Sequence, residues 1–328
     1  MTSAAVQRVV FIGLILCWSK TATAEQRTTT QMSAQPAVPA DRTQHEDALE
    51  TAGKAVQEAE AIFGPGDVHV AVALSRLALV HASQGHYAEA EPLYQRALAI
   101  RQQVLGSDDP EVGENLSQLA FLYYSQRQFD KAEPLYQQAL SVFEHSLGPD
   151  HPTVEHLLNT LSLLYDLQGR SSEQEALSKR ILSMREEKLG TNHPAVATAL
   201  DRLAEVYRTQ GRDKEAEPLY QRALMIRETA FGKEHPEVAV SLNRLATFYV
   251  AQSRYQDAEP LYERTLTIRK KIFGASHLEV AKTLEDYATL LRKTHQVQRA
   301  EAMQKEAQHI REQQASKKST APPPSALP

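Results

Sequence analysis

The sequence EPLYQRAL fills residues 91–98 and returns with few changes every 42 residues along the chain. A fixed period of this length indicates stacked supersecondary units, each of which buries its apolar face against its neighbours. No insertion breaks the register between Gly64 and Leu278. The related copies are EPLYQQAL at 133–140, EPLYQRAL at 217–224 and EPLYERTL at 259–266.

Within one period the apolar residues follow a helical pattern. Between Pro194 and Gln210 they fall three and four positions apart, which is one face of an amphipathic helix. Gly211 interrupts the pattern, and a second helical stretch follows up to Gly232, a residue suited to ending it. Pro236 then fits the first turn of the next helix. The sequence therefore predicts an all-α fold, an α-solenoid of stacked antiparallel helical hairpins.

The amino terminus has the three regions of a secretion signal. Arg8 gives a positive start, Val9–Trp18 is apolar, and Ala22–Ala24 offers small residues for cleavage before Glu25. Ten residues are too few to cross a bilayer. We therefore expect residues 1–24 to be removed and the protein to be exported, to a periplasm or out of the cell, with no membrane span in the mature chain.

Cys17 is the only cysteine of the chain and lies within this signal. The mature protein would then have no disulfide and no thiolate chemistry. Lipid attachment at Cys17 is not expected, because the bulky Leu16 stands where lipoproteins have a small residue. An uncleaved anchor, or a buried helix, is the alternative to a cleaved signal.

The repeat array is expected to span residues 45–312. Before it, residues 25–44 are rich in Thr, Gln, Ala and Pro and predict a flexible tether. After it, residues 313–328 contain three consecutive prolines and predict a disordered tail. The array should comprise a leading half-unit (45–67), five full units (68–109, 110–151, 152–193, 194–235 and 236–277) and a polar capping unit (278–312).

Small residues recur at fixed places in each unit, for example Ala204, Ala216 and Ala223, with Tyr207 and Tyr220 around them. This arrangement resembles the tetratricopeptide repeat signature. The 42-residue period, EPLYQRAL in the second helix and HPEV at the start of a unit resemble the kinesin-light-chain subfamily. The resemblance implies that the first helices of the hairpins line an inner, concave groove that binds peptides.

Composition and motifs argue against several other functions. The chain is 42% hydrophobic and 23% charged, and its net charge of -5 does not suggest a nucleic-acid-binding protein. No glycine-rich phosphate loop and no nucleophile elbow occurs in the sequence. We therefore expect neither an enzyme nor a bound cofactor.

One histidine per unit occupies the same repeat position in four successive units. Packed helices lie about 8–10 Å apart, so residues one repeat apart cannot share a metal ion. Asp67 and Asp109 hold this position in the earlier units, which indicates a side-chain acceptor at a helix start. We therefore predict no metal site. The histidines are His151, His193, His235 and His277.

The first helices carry several repeat positions that the core pattern does not use. In the amino-terminal half of the array these positions are mainly apolar, and in the carboxy-terminal half they are mainly basic or amide. They predict a ligand with an aromatic or aliphatic anchor at one end and carboxylates at the other. The candidate groove residues are Arg76, Leu79, Phe121, Tyr124, Leu163, Leu167, Arg202, Arg208, Asn243 and Arg244.

Three structural alternatives apply to these candidates. Phe121 and Leu163 could pack between neighbouring first helices, as an extra apolar residue often does. The tether could fold back into the groove. Arg202 and Arg244 could pair with Asp201 or Glu205 as ordinary solvated charges.

The sequence thus predicts an exported, non-enzymatic scaffold that binds a peptide or protein partner in the groove of its repeats. The alternative is an architectural protein that forms homo-oligomers through the ends of its array. For that alternative the closing helix offers an apolar face of Ala300, Met303, Ala307 and Ile310.

The third full unit departs from the pattern. Gln174, Ser178 and Ile181 stand where the preceding unit has Ala, Tyr and Ala. A buried amide without a partner would cost about 1–3 kcal/mol. We therefore predict that local opening of the array begins in this hairpin.

Overall fold

The structure is a computed structural model that describes the backbone of residues 40–320 and the side chains of residues 47–316. The secretion signal, residues 25–39 of the tether and residues 321–328 of the tail lie outside the described residues. The described chain is helical throughout, which confirms the all-α prediction. Its helices are α1 (Ala40–Phe63), α2 (Val68–Ser83), α3 (Tyr87–Leu105), α4 (Pro110–Ser125), α5 (Phe129–Leu147), α6 (Pro152–Leu167), α7 (Ser171–Leu189), α8 (Pro194–Thr209), α9 (Asp213–Phe231), α10 (Pro236–Ala251), α11 (Tyr255–Phe273), α12 (Leu278–Lys293) and α13 (Val297–Thr320).

The first and last helices are longer than the sequence predicted. Helix α1 already begins at Ala40, so residues 40–44 of the expected tether are helical. No Gly or Pro follows Pro39 until Gly53, so the sequence offers no helix breaker over this stretch. Helix α13 continues to Thr320, because its Gln, Ala and Lys residues are good helix formers and no breaker precedes Pro322.

The chain divides into two compact units, Met1–Leu157 and Leu158–Pro328, called the N-terminal unit and the C-terminal unit below. In the described part of the N-terminal unit, α1 to α5 each pack against the next helix. In the C-terminal unit, α7 to α13 do the same. Neighbours in sequence are therefore neighbours in space, as the repeat period predicted. None of the helices in residues 40–320 is both long and apolar enough to span a bilayer.

The recurring small residues lie where the two helices of a hairpin meet. Ala97 is fully buried with Val70 and Leu74 of the preceding helix, and Ala223 is buried in the same way with Val196 and Leu200. Because an alanine adds only a methyl group, the helices approach closely at these points. The signature alanines are therefore packing residues.

Side-chain acceptors begin the first helices, as the sequence predicted. The Asp109 carboxylate accepts the Glu111 N–H at 2.8 Å, and His193 Nδ1 accepts the Ala195 N–H at 3.1 Å. The same bond starts the helices after His235 and His277. At the other end, Gly232 has a φ of 81°, the left-handed conformation that ends a helix without steric cost. The histidines therefore act as N-caps.

A buried arginine joins successive first helices. In the N-terminal unit, Arg101 of α3 donates to Ser75 of α2 at 2.9 Å and to Asn115 of α4 at 2.6 Å. Its equivalent in α9, Arg227, donates to Asp201 of α8 at 2.8 Å and also to Ser241 of α10. One guanidinium thus bonds its own first helix and the next, which fixes the spacing between them.

One hairpin of the N-terminal unit lacks the buried arginine, and a second residue differs together with it. Phe143 of α5 occupies the position of the buried arginine, and Gly113 of α4 occupies a position that holds Ala71 and Ala197 in other hairpins. A Cβ at Gly113 would lie 3.0 Å from the buried Phe143 ring and 3.2 Å from Val142 Cγ1. Gly113 therefore makes room for the aromatic ring.

We predict that Gly113→Ala lowers the free energy of unfolding by about 1 kcal/mol. Overpacking against Phe143 costs about 1–3 kcal/mol, and the better helix propensity of alanine returns about 1 kcal/mol. Urea unfolding followed by circular dichroism measures the change. In a Phe143→Leu background the same substitution should be stabilising, and a stabilising effect in the unmodified protein would contradict the steric explanation.

The glutamate of EPLY is a structural residue. Tyr123 donates to Glu91 at 2.7 Å. In the C-terminal unit, Glu217 accepts from Tyr249 at 2.9 Å and from Arg254 at 2.7 Å, and that guanidinium lies 4.2 Å from the centre of the tyrosine ring. Each of these glutamates therefore binds a tyrosine of the following hairpin, which explains why it recurs.

The closing helix α13 uses its apolar face within the C-terminal unit. Ala300, Ala307 and Ile310 are buried, and Met303 packs against the same core. This corrects one argument for self-association, because the apolar face of the closing helix is already covered by its own hairpin. The remaining surface of α13 is polar, as expected of a cap.

The divergent third unit buries little of its second helix. Of the side chains of α7, Ser178 and Ile181 are buried, whereas α9 buries five side chains. Gln174 is only partly buried and donates to Asp166 Oδ1 at 3.1 Å. The expected cost of an unpartnered buried amide therefore does not arise, and the weak packing of α7 comes from the loss of the large tyrosine at position 178.

Candidate functional site

The candidate residues fall into two sets, which we treat separately because they belong to different compact units. Helices α2 and α4 carry the N-terminal wall, and α6, α8 and α10 carry the C-terminal wall. The N-terminal wall consists of Arg76, Leu79, Ala82, Glu114, Gln118, Phe121 and Tyr124. The C-terminal wall consists of Leu163, Leu167, Arg202, Glu205, Arg208, Asn243 and Arg244.

Arg101 positions the N-terminal wall. It bonds Ser75 and Asn115, and these residues lie one turn before Leu79 and about two turns before Phe121 in their helices. Leu79, Phe121 and Tyr124 are all partly exposed. The buried network therefore holds two helices side by side while their outer positions keep apolar surface in contact with solvent.

Aromatic rings form a connected cluster on this wall. The rings of Phe121 and Tyr124 stack with centroids 6.3 Å apart, and the Tyr124 ring lies 5.7 Å from that of Phe129. Burial raises the pKa of the Tyr124 hydroxyl. Phe129 was not predicted from the sequence, although Tyr87 and Tyr255 begin the second helices at the same repeat position. Packed rings are held in fixed orientations, so their exposed edges form a rigid surface.

Few charged or polar groups accompany these rings. Arg76 is exposed on α2, and Glu114 is exposed on α4. Desolvation by the surrounding protein nevertheless raises the pKa of Glu114, against the opposing effect of Arg101. Gln118 occupies the repeat position of Arg76, and its Oε1 atom is buried without a hydrogen-bond partner. The N-terminal wall is therefore mainly apolar and contains one unsatisfied amide oxygen.

The basic residues of the C-terminal wall bond to groups of the protein itself. Arg208 pairs with Glu205, and this hydrogen bond raises the pKa of the guanidinium. Arg202 donates to Asn159. Arg244 is 49% exposed, and its Nη1 lies 3.7 Å from Asp201 Oδ2. Of the two arginines expected to pair with Asp201 or Glu205, Arg244 lies near Asp201, whereas Arg202 bonds Asn159. The wall is therefore not a free positive surface.

Similar contacts link successive first helices. Asn159 accepts a hydrogen bond from Arg202, the Asp201 carboxylate lies near the Arg244 guanidinium, and Asn243 donates to Asp286 at 3.2 Å. In every pair the partners are 43 residues apart, one repeat plus one position. The candidates Arg202, Asn243 and Arg244 therefore also connect neighbouring helices.

Asp201 is the most buried ionisable group of this region. Its side chain is 1% exposed, and its Oδ1 atom has no hydrogen-bond partner. Burial raises the pKa of the carboxyl group more than the nearby Arg227 and Arg244 lower it. The sequence analysis named Asp201 only as a partner for surface arginines.

The apolar candidates of this unit lie at the end of α6. Leu163 is partly exposed, and Leu167 is 48% exposed in the last position of the helix. Nothing in the described structure arranges them with an aromatic cluster. Among the side chains of residues 47–316, no three His, Cys, Asp or Glu residues come together as ligands for a metal ion.

Sequence comparison identifies the repeats. The profile of the tetratricopeptide repeat matches residues 40–103, 69–144, 111–187, 175–229 and 237–313, which is well over half of the chain. The chain belongs to the tetratricopeptide repeat family. Arrays of this family are generally scaffolds for protein interactions. No curated protein sequence matches the chain.

Solved structures of other tetratricopeptide repeat proteins are similar to this one. The TPR-like repeats of a protein from Podosopora anserina, whose description places it with the kinesin light chains, share 26% identity over 61% of this chain and 95% of that chain, with a TM-score of 0.52. A repeat-containing protein from Cytophaga hutchinsonii shares 13% identity over 82% and 92% of the two chains, with a TM-score of 0.56. At 13% identity, the similarity between the two structures shows a shared fold and nothing more.

Proposed function

We propose that this tetratricopeptide repeat protein is an exported, non-enzymatic scaffold that binds a peptide or protein partner on its first-helix walls. The observation that carries the proposal is the aromatic cluster of Phe121, Tyr124 and Phe129. These three rings remain partly exposed, whereas the core side chains of the hairpins are buried. Rigid aromatic side chains at a surface are the residues that contribute most binding energy in protein interfaces.

Export rests on the amino-terminal sequence. Arg8, the apolar stretch 9–18 and the small residues 22–24 fit a cleavable signal. The partner is then a protein or peptide of the periplasm or of the extracellular space. N-terminal sequencing of the secreted protein tests this part, with Glu25 as the expected first residue.

Self-association is the second candidate function. The described structure offers it less support than the sequence did, because α13 buries its apolar residues in its own hairpin. Light scattering across a range of protein concentrations separates the two functions. A monomer at high concentration excludes assembly through the ends of the array.

We predict that the double variant Phe121→Ala, Arg244→Ala recovers at least about tenfold less partner than the unmodified protein. The first change removes one ring of the aromatic cluster, and the second removes a partly exposed cation of the C-terminal wall. Affinity capture from an extract of the native cells, with quantitative mass spectrometry, measures the difference.

Gln138→Ala is the matched control for this experiment. Gln138 is exposed on the second helix α5, which carries no wall residue. Specific partners should be captured by the control as well as by the unmodified protein. Equal recovery of every specific partner by the double variant would refute binding at the walls.

A further inference from the structure

We propose that the N-terminal wall is the anchor site of the scaffold and that it takes an extended, uncharged peptide segment with an aromatic or branched aliphatic side chain. The inference rests on the proposed function and specifies the chemistry of its partner. It differs from the expectation drawn from the sequence, in which carboxylates of the ligand contribute through the arginines.

The shape of the wall suits an apolar side chain. Leu79 of α2 and Phe121 of α4 occupy the same repeat position on adjacent first helices, which Arg101 holds together. Phe121 is braced by Tyr124, and Tyr124 by Phe129. Because these side chains are already ordered, they lose little conformational freedom when a ligand binds. An aromatic ligand group can pack against their faces and edges.

Gln118 supplies the polar contact that an extended peptide needs. It lies three residues before Phe121, on the same side of α4. Its Oε1 atom has no partner, which is unfavourable for a buried acceptor. The residue as a whole is only partly buried, so rotation of the side chain presents the amide at the surface. A main-chain N–H of the ligand then satisfies this oxygen.

Charge complementarity argues against an acidic ligand. The N-terminal wall has one exposed cation and one exposed anion, Arg76 and Glu114, which favour neither sign. On the C-terminal wall a ligand carboxylate at Arg208 would have to displace Glu205. At Arg244 it would approach the buried carboxylate of Asp201. Exchanging one carboxylate for another adds little affinity, so acidic residues are not selected.

Selection from a library of displayed, randomised nine-residue peptides on the mature chain tests the inference. Enriched peptides should be rich in aromatic and branched aliphatic residues, with no excess of Asp or Glu over the starting library. A synthetic peptide of the enriched sequence should lose at least about tenfold in affinity with Phe121→Thr. Thr247 and Thr289 occupy this repeat position in other hairpins, so the fold accommodates the substitution.

Gln118→Thr provides the second variant, chosen because Thr160 occupies the same repeat position in the next hairpin. It should lower the affinity about threefold to tenfold, the range expected for one hydrogen bond. Methylation of the ligand amide next to the anchor should weaken binding to the unmodified protein. It should have no further effect on the Gln118→Thr variant.

The other outcomes separate the inference from the proposed function. Enriched peptides rich in Asp and Glu, whose binding is lost with Arg244→Ala but not with Phe121→Thr, would overturn the inference and leave the scaffold function standing. No enriched peptide, or peptides whose binding no wall variant changes, would overturn both.

Discussion

Replacing Arg227 by alanine is expected to lower the free energy of unfolding of the C-terminal unit by about 3–5 kcal/mol. Arg227 is buried and bonds Asp201 of α8 and Ser241 of α10, so its loss leaves a carboxylate in the core without its main partner. The two first helices also lose the side chain that joins them. Urea unfolding followed by circular dichroism measures the effect.

Replacing Asp201 and Arg227 together should change the free energy of unfolding little. Burial raises the pKa of Asp201 in spite of the arginines, which shows that desolvation outweighs their attraction. Replacing a buried ion pair by apolar residues of similar size is often neutral or stabilising. We therefore expect Asp201→Leu, Arg227→Met to recover most of the loss. A change below about 1 kcal/mol in Arg227→Ala would show that Asp201 finds another partner.

The second large effect is expected in native-state hydrogen exchange. Backbone amides of residues 177–189 in α7 should exchange at least about 100-fold faster than those of residues 219–231 in α9. Both stretches are helical, but α7 buries Ser178 where α9 buries Tyr220. Less buried surface gives a lower free energy of local opening. Mass spectrometry of peptic fragments resolves the two helices.

The double variant Ser178→Tyr, Ile181→Ala is the matched control for α7. It gives this hairpin the residues that α9 has at Tyr220 and Ala223. Exchange of residues 177–189 should then slow towards that of α9. If these amides are already among the best protected in the unmodified protein, the third unit is not the site of first opening.

The hairpins could be predicted from the sequence because their causes are local. Glycine and proline positions end and begin the helices, and the spacing of Ala216, Tyr220 and Ala223 sets the buried face. The paired changes were harder to foresee. Phe143 and Gly113 are distant in the sequence and fit each other only in the folded hairpin.

The closing hairpin shows a second limit of the repeat pattern. Glu259 bonds Tyr287 and Arg299. These residues lie at different repeat positions from Tyr249 and Arg254, which bond the equivalent Glu217. The contact with the glutamate is kept while the residues that make it change place. A search for identical positions cannot detect such a replacement.

The exposed positions of the first helices were predictable from the sequence, but the contacts of their side chains were not. Spacing identifies the outward side of each first helix, and Leu79, Phe121 and Arg244 do lie partly or fully exposed. The partners of Arg202 and Arg244 stand one repeat away on another helix, as Asp201 does for Arg244. The sequence therefore suggested free arginines where the structure has bonded ones.

Photo-cross-linking tests the central claim, that a partner binds the first-helix walls, most directly. A photoreactive phenylalanine analogue is placed at Phe121, and in a separate protein at Gln138 on the second helix of the same hairpin. The account predicts a cross-linked partner from position 121 and none from position 138. Equal cross-linking from both positions, or a partner captured only from position 138, would contradict it.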